Sequence, residues 1–164
     1  MSARPEAVAN QIADALVKKL SRISREKQPS EWLTSPHVDR GLFLGDMSAP
    51  RPALYVSVQR WDHTPGASMG VSGVHESILT LAVACVSESA LNTRGAEIEL
   101  NNLAADVVRA VSLKDEPVEF NIDQAVVYFN PVFYEPQVDL MERVGLGVTA
   151  VIVETRFRWS TQAP

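Results

Sequence analysis

One cysteine, three histidines and no apolar run of membrane-spanning length set the first limits on this chain. Cys85 stands alone, so an internal disulfide or a thiolate zinc cluster within one chain is excluded. None of His37, His63 and His75 has a second histidine three or four residues away, so no helical metal pair exists. A spanning helix needs roughly 18 consecutive apolar residues, and no stretch approaches that. Basic charge is also in short supply: 15 Lys and Arg against 20 Asp and Glu leave a net charge of -5 and a pI of about 5.2. Duplex-binding domains carry the opposite excess, because phosphate neutralisation supplies most of their affinity. Tight wrapping of DNA is therefore not expected, while passing close to DNA without sticking to it is compatible with this charge. The first residues lack the apolar block of a secretory signal, and a reducing cytoplasm is the expected folding compartment.

What is present suits one domain with a real core: 164 residues, 46% hydrophobic and 21% charged. Val8, Ile12, Ala15, Leu16, Leu20 and Ile23 recur at helical spacing and predict a helix over 5–23. Pro5 suits its first turn, and Lys18, Lys19 and Arg22 complement the dipole at its end. Asp14 precedes Lys18 by four residues, the spacing of a surface ion pair. Prolines 29, 36, 50 and 52 predict a loop-rich segment over 24–52, with at most one edge strand at Leu42-Phe43-Leu44. Trp32 is expected to pack as a satellite of the core.

A strand follows over 54–59, with Leu54, Val56 and Val58 on one side and Ser57 and Gln59 on the other. A break is expected over 62–73, which holds three glycines and a proline. The partner strand covers about 75–87, as if in a long hairpin. Leu79, Leu81, Val83 and Cys85 face the core, and the small apolar opposite side predicts cover on both faces or pairing at an interface. Leu100, Leu103, Ala104, Val107, Val108 and Val111 predict a second helix, with Thr93 as N-cap. Ala125–Phe129 reads as a strand, extended past a bulge by 132–134. The last strand runs over about 147–159, with Val151, Val153, Thr155, Phe157 and Trp159 on one face. Ile152, Glu154, Arg156 and Arg158 lie on the other. The expected fold is α+β: an antiparallel sheet of about four to six strands with two amphipathic helices on one face, in the order helix, hairpin, helix, hairpin.

Chemistry is sparse. Asp62-His63 reads as a solvated turn, with metal binding or acid–base work as the alternative. His75 and Ser77 share a strand face, but no elbow motif surrounds the serine. Cys85 reads as a small buried hydrophobe. The 66–73 stretch has neither a phosphate-loop lysine nor a following helix, so it matches no nucleotide motif. It reads as a flexible hairpin tip, or as a loop that orders against a neighbouring subunit; Gly66, Ser68, Met69, Gly70 and Val71 are its candidate contacts. Arg156 and Arg158 read as an exposed face, or as a rim meeting acidic residues of another subunit. No catalytic residue, cofactor or metal is expected.

The helix, the hairpin with its glycine-containing tip, the stretch from Ser77 to Val111 and the final Val148–Trp159 strand resemble the tail terminator proteins of long-tailed bacteriophages, the lambda-type minor tail protein U family. That resemblance implies a virion structural protein and not an enzyme. It implies a ring, usually a hexamer, on the head-proximal end of the tail tube. The ring would stop addition of tube protein, present a surface to a head-completion protein, and let DNA pass without specific binding. Its expected location is the virion tail, reached from the host cytoplasm, with no membrane contact. The rival readings are another head-completion or connector protein of the phage neck, and a small cytosolic ligand-binding domain.

Overall fold

The computed structural model describes residues 5–42, 50–63, 74–87, 93–112, 118–119, 126–127, 130–136 and 147–160. In chain order the elements are α1 (Pro5–Leu20), β1 (His37–Arg40), β2 (Ala53–His63), β3 (Val74–Val86), α2 (Thr93–Ser112), β4 (Val118–Glu119), β5 (Val126–Val127), β6 (Asn130–Pro136) and β7 (Val148–Ser160). Five strands form one sheet in the order β1-β2-β3-β7-β6, and β4 and β5 make a separate two-stranded ladder. All pairings in the main sheet are antiparallel except β1 with β2. Both helices pack on the same side of the sheet, α1 over β1 and β2, and α2 over β3, β7 and β6.

Each helix docks through the stripe its spacing dictates. Val8, Ile12, Leu16 and Leu20 of α1 are buried, and Ala9 and Ala13 widen the stripe. Leu100, Leu103, Ala104, Val107 and Val111 of α2 meet the sheet side chains Leu79, Leu81, Val83, Cys85, Val151 and Val153 in one cluster. Burying the larger of these side chains stabilises by about 1.5–3 kcal/mol each. Val108 departs from its expected place: it is 37% exposed, because it lies on the flank of the stripe. Ile23 is buried as expected, but it follows the helix in a turn.

The segment after α1 is a hydrogen-bonded loop, as its prolines require. Its strand is not where the apolar triplet placed it. Leu42 is exposed and outside any strand, and Phe43 and Leu44 lie outside the described residues. The strand is the polar His37–Arg40, held by a parallel partner and not by its own propensity. Trp32 is not a satellite; it is buried in the main cluster. Its indole N–H donates to Gln28 Oε1 at 3.1 Å, and the Arg109 guanidinium lies 5.6 Å from its ring centre.

β2 outruns its expected end. Asp62 and His63 pair with Ile78 and Ser77, because the thirteen-residue β3 offers a ladder that satisfies their backbone groups. The break expected at Asp62 therefore starts no earlier than residue 64. The register shifts between Val58 and Arg60, so Gln59 is an extra residue in β2, a bulge. Val58 sits at that bulge and is 36% exposed, not buried as its alternation suggested. In the C-terminal region Val126–Val127 pairs with β4 and not with the main sheet. Residues 132–134 do not extend that strand past a bulge as expected: they belong to β6, a separate strand on β7 that carries its own register shift between Pro131 and Phe133.

Candidate assembly surface

Side chains on β3 sort the two faces of the sheet. Leu79, Leu81, Val83 and Cys85 are fully buried under the helices; Ile78, Thr80, Ala82 and Ala84 point away from them. Register partners share a face, which reads out the side away from the helices in rows across β2, β3 and β7. The rows are Tyr55, Ala84 and Ala150; Ser57, Ala82 and Ile152; Arg60, Thr80 and Glu154; and Asp62, Ile78 and Arg156. Toward the hairpin tip this face carries two charges of each sign; in the other two rows Ser57, Ala82 and Ala150 are buried and Tyr55, Ala84 and Ile152 are half-buried. Beyond it, at the other end, Ala53, Val86 and Val148 form a small buried cluster with Tyr55 against it.

The bulge at Gln59 puts Arg60 and Asp62 on this side. Arg60 Nε donates to Asp62 Oδ1 at 2.8 Å, an exposed ion pair along one strand. Arg156 is exposed and stands across Ile78 from Asp62, as the alternation of β7 predicts. Arg158 is the register partner of Glu76. Gly66, Ser68, Met69, Gly70 and Val71 lie outside the described residues, so the structure joins none of them to the two arginines. Arg60, Asp62 and Glu154 carry the rest of the charge pattern; none was expected at an interface, and Asp62 was considered only with His63 for metal binding or acid–base work. Glu154 was placed on the correct face by simple alternation, whereas the two β2 charges were hidden by the bulge.

No family model matches this chain, and no curated protein does.

Of the residues considered for chemistry, His63 and Ser77 are register partners on β2 and β3, with Asp62 next to the first and His75 two residues from the second, whereas Cys85 lies at the far end of β3. Asp62 is engaged by Arg60, and among the described residues no three His, Cys, Asp or Glu side chains group as a metal site. Ser77 is buried inside the sheet. Cys85 is buried too, and desolvation pushes its thiol from 9.0 up to about 12. No helix among the described residues is long and apolar enough to cross a membrane. An open groove of about 730 Å³ lies between the loop after α1 and the first half of α2. Leu33 and Ile98, both 51% exposed, line it with Arg25 and Glu99.

Sequence reasoning missed two polar residues that hold the frame. Arg40 of β1 donates to Asn10 Oδ1 and to the Asn10 carbonyl on α1, and pairs with Asp14 at 2.6 Å. Asp14 thus reaches across to the sheet edge, where the helical spacing had suggested Lys18. Asp106 is buried on α2 and accepts from the loop after α1. Its position three residues after Leu103, within the apolar stripe, is the signal in the sequence that marks it.

Proposed function

We propose that this chain is a structural protein of a phage tail, a terminator that closes as a ring on the head-proximal end of the tail tube. The observation that carries the reading is the element order, helix, hairpin, helix and paired final strands, on a sheet whose two described helices share one side. An open sheet has two edge strands, and the outer backbone groups of an edge are where a neighbouring subunit can add. β1 has four residues and β6 seven, and each leaves one row of backbone groups at the margin of the sheet. A contact that joins one margin to the other in the next subunit is heterologous, and it closes as a ring when its rotation divides a full turn. Ring closure would halt further addition of tube protein, and the distal side would receive the head-completion protein. A net charge of -5 favours sliding of DNA through the hole over adhesion to its wall.

The test is electron microscopy of particles made without this gene. Overlong tails without heads are expected. Tails of normal length that fail to join heads would overturn termination in favour of a neck connector.

A further inference from the structure

We propose that the outer stripe of α2 pairs, antiparallel, with the same stripe of a second copy of this chain. Arg94, Ile98, Asn101, Ala105, Val108 and Ser112 are spaced alternately four and three residues apart, and all six are exposed. That spacing lines them up on the side of α2 opposite the buried Leu100, Leu103 and Val107. Ile98 and Val108 are 51% and 37% exposed. With Leu33, whose N–H donates to Asp106 of α2, they make three of the five large apolar side chains exposed among the described residues. Single exposed apolar side chains are ordinary, whereas a line of them along one helix is the pattern of a helix contact.

Charge decides the orientation and the occupant. Arg94 and Glu97 stand at one end of the stripe and Arg109 at the other, all exposed, and the stripe between them is uncharged. A parallel pair would set each of these charges on its own counterpart. An antiparallel pair, about a two-fold axis level with Leu103, sets Ile98 on Val108 of the other copy and Asn101 on Ala105, each twice. Arg94 falls over Ser112, and Glu97 comes level with Arg109 of the other copy, within reach of two long side chains. The Trp32 ring, 5.6 Å from the Arg109 guanidinium, fixes that side chain at the margin of the contact and still leaves it exposed. A two-fold contact requires a surface that complements itself, and this stripe does so in one orientation. Ala105 near the centre lets the helix axes approach to about 8 Å.

From Arg94 to Ser112 the helix is about 27 Å long, and a pair of that length buries roughly 500 Å² per copy, against about 800 Å² in a standard interface. The pair is therefore weak and reversible. The contact stands apart from the tail-tube reading, which uses the sheet margins and not the helix layer.

Three measurements on the full chain test it. Sedimentation equilibrium up to about 500 µM should show a monomer–dimer equilibrium. Ala105→Glu, a good helix former at an exposed position, should weaken the dimer by about tenfold or more. Glu97→Arg should weaken it by about threefold or more, and adding Arg109→Glu in the same chain should recover most of that loss. Equal amounts of Ile98→Cys and Val108→Cys protein, oxidised together, should form the mixed disulfide in preference to either homodimer, while the buried Cys85 stays out of the reaction. Circular dichroism checks that each variant is folded, and Val108→Lys serves in place of Ala105→Glu if the latter fails to fold. A folded chain that stays monomeric throughout, a dimer indifferent to Ala105→Glu or to the charge swap, or homodimeric disulfides in excess of the mixed one would each overturn the proposal. A higher ring that ignores all these changes would assign association to the sheet margins and overturn the two-fold contact.

Discussion

The Asp106 carboxylate on α2 accepts hydrogen bonds from both the backbone N–H and the hydroxyl of Thr34, at 2.8 and 2.7 Å. The N–H of Leu33 adds contacts of 3.1 and 3.2 Å to the same group. One buried side chain thus fastens the loop after α1 to the second helix, more than seventy residues away in sequence.

Asp106→Ala should lower unfolding stability by about 1–3 kcal/mol, because it strands buried donors and not because it removes a charge. Thr34→Val removes one donor of the set and should cost about 1 kcal/mol. Urea unfolding of the two variants checks the order. A loss for Asp106→Ala below that for Thr34→Val would mean that the loop holds its place without the carboxylate.

Gly147 enters β7 beside Ser87: its N–H donates to Ser87 Oγ at 3.0 Å, and its carbonyl accepts from the Ser87 N–H at 2.9 Å. A Cβ there would stand 2.6 Å from Ser87 Oγ and 2.8 Å from Leu100 Cδ1. Gly147→Ala should destabilise by about 1–3 kcal/mol through overpacking. Gly41 has open space around its Cα but a φ of +132°, so Gly41→Ala should also destabilise, through backbone strain of about 1–2 kcal/mol. Thermal unfolding of both compares a steric cost with a conformational one.

Thr155 lies on the buried side of β7, and its hydroxyl has no hydrogen-bond partner among the described residues. Thr155→Val keeps the shape and removes the unsatisfied group, so stability should rise by about 1 kcal/mol. A fall of that size would reveal a partner for the hydroxyl in solution, such as a bound water.

Cys85 should resist thiol reagents in the native protein and react only on unfolding. Its thiol is raised from 9.0 to about 12 in the fold by desolvation. The unfolded chain therefore releases this proton first as pH climbs. Its linkage contribution is fully present below pH 9 and is lost progressively between pH 9 and about 12. Cys85→Ala should flatten that part of the stability profile. Rapid labelling of the folded protein at neutral pH would contradict the burial.

Much of this architecture could be read from side-chain periodicity. The alternation in 148–157 and the helical stripe at Leu100, Leu103 and Val107 place those elements correctly, since their buried sides face one continuous core. Periodicity failed where partners and not propensity decide. His37–Arg40 is a strand because β2 lies beside it, and the chain at Asp62 stays extended because β3 continues opposite. Trp32 was underestimated because its anchors, Gln28 and Arg109, come from the loop and from a distant helix. The charges on the face away from the helices were half legible. Arg156 followed from alternation, while Arg60 and Asp62 depend on an offset in pairing that no local pattern announces.

That offset comes down to Gln59. Take the residue out, and the ladder closes without a bulge while the pairs on either side stay as they are, Val58 with Leu81 and Arg60 with Thr80. Arg60 and Asp62 would keep the side they have, and Trp61 would still pack 6.4 Å from the Phe157 ring. Pairing Gln59 itself with Thr80, by contrast, would turn Arg60 and Asp62 toward the helices and Trp61 out into water. One surplus residue is thus what lets two charges follow Leu54 and Val56 along the same strand without entering the apolar interior.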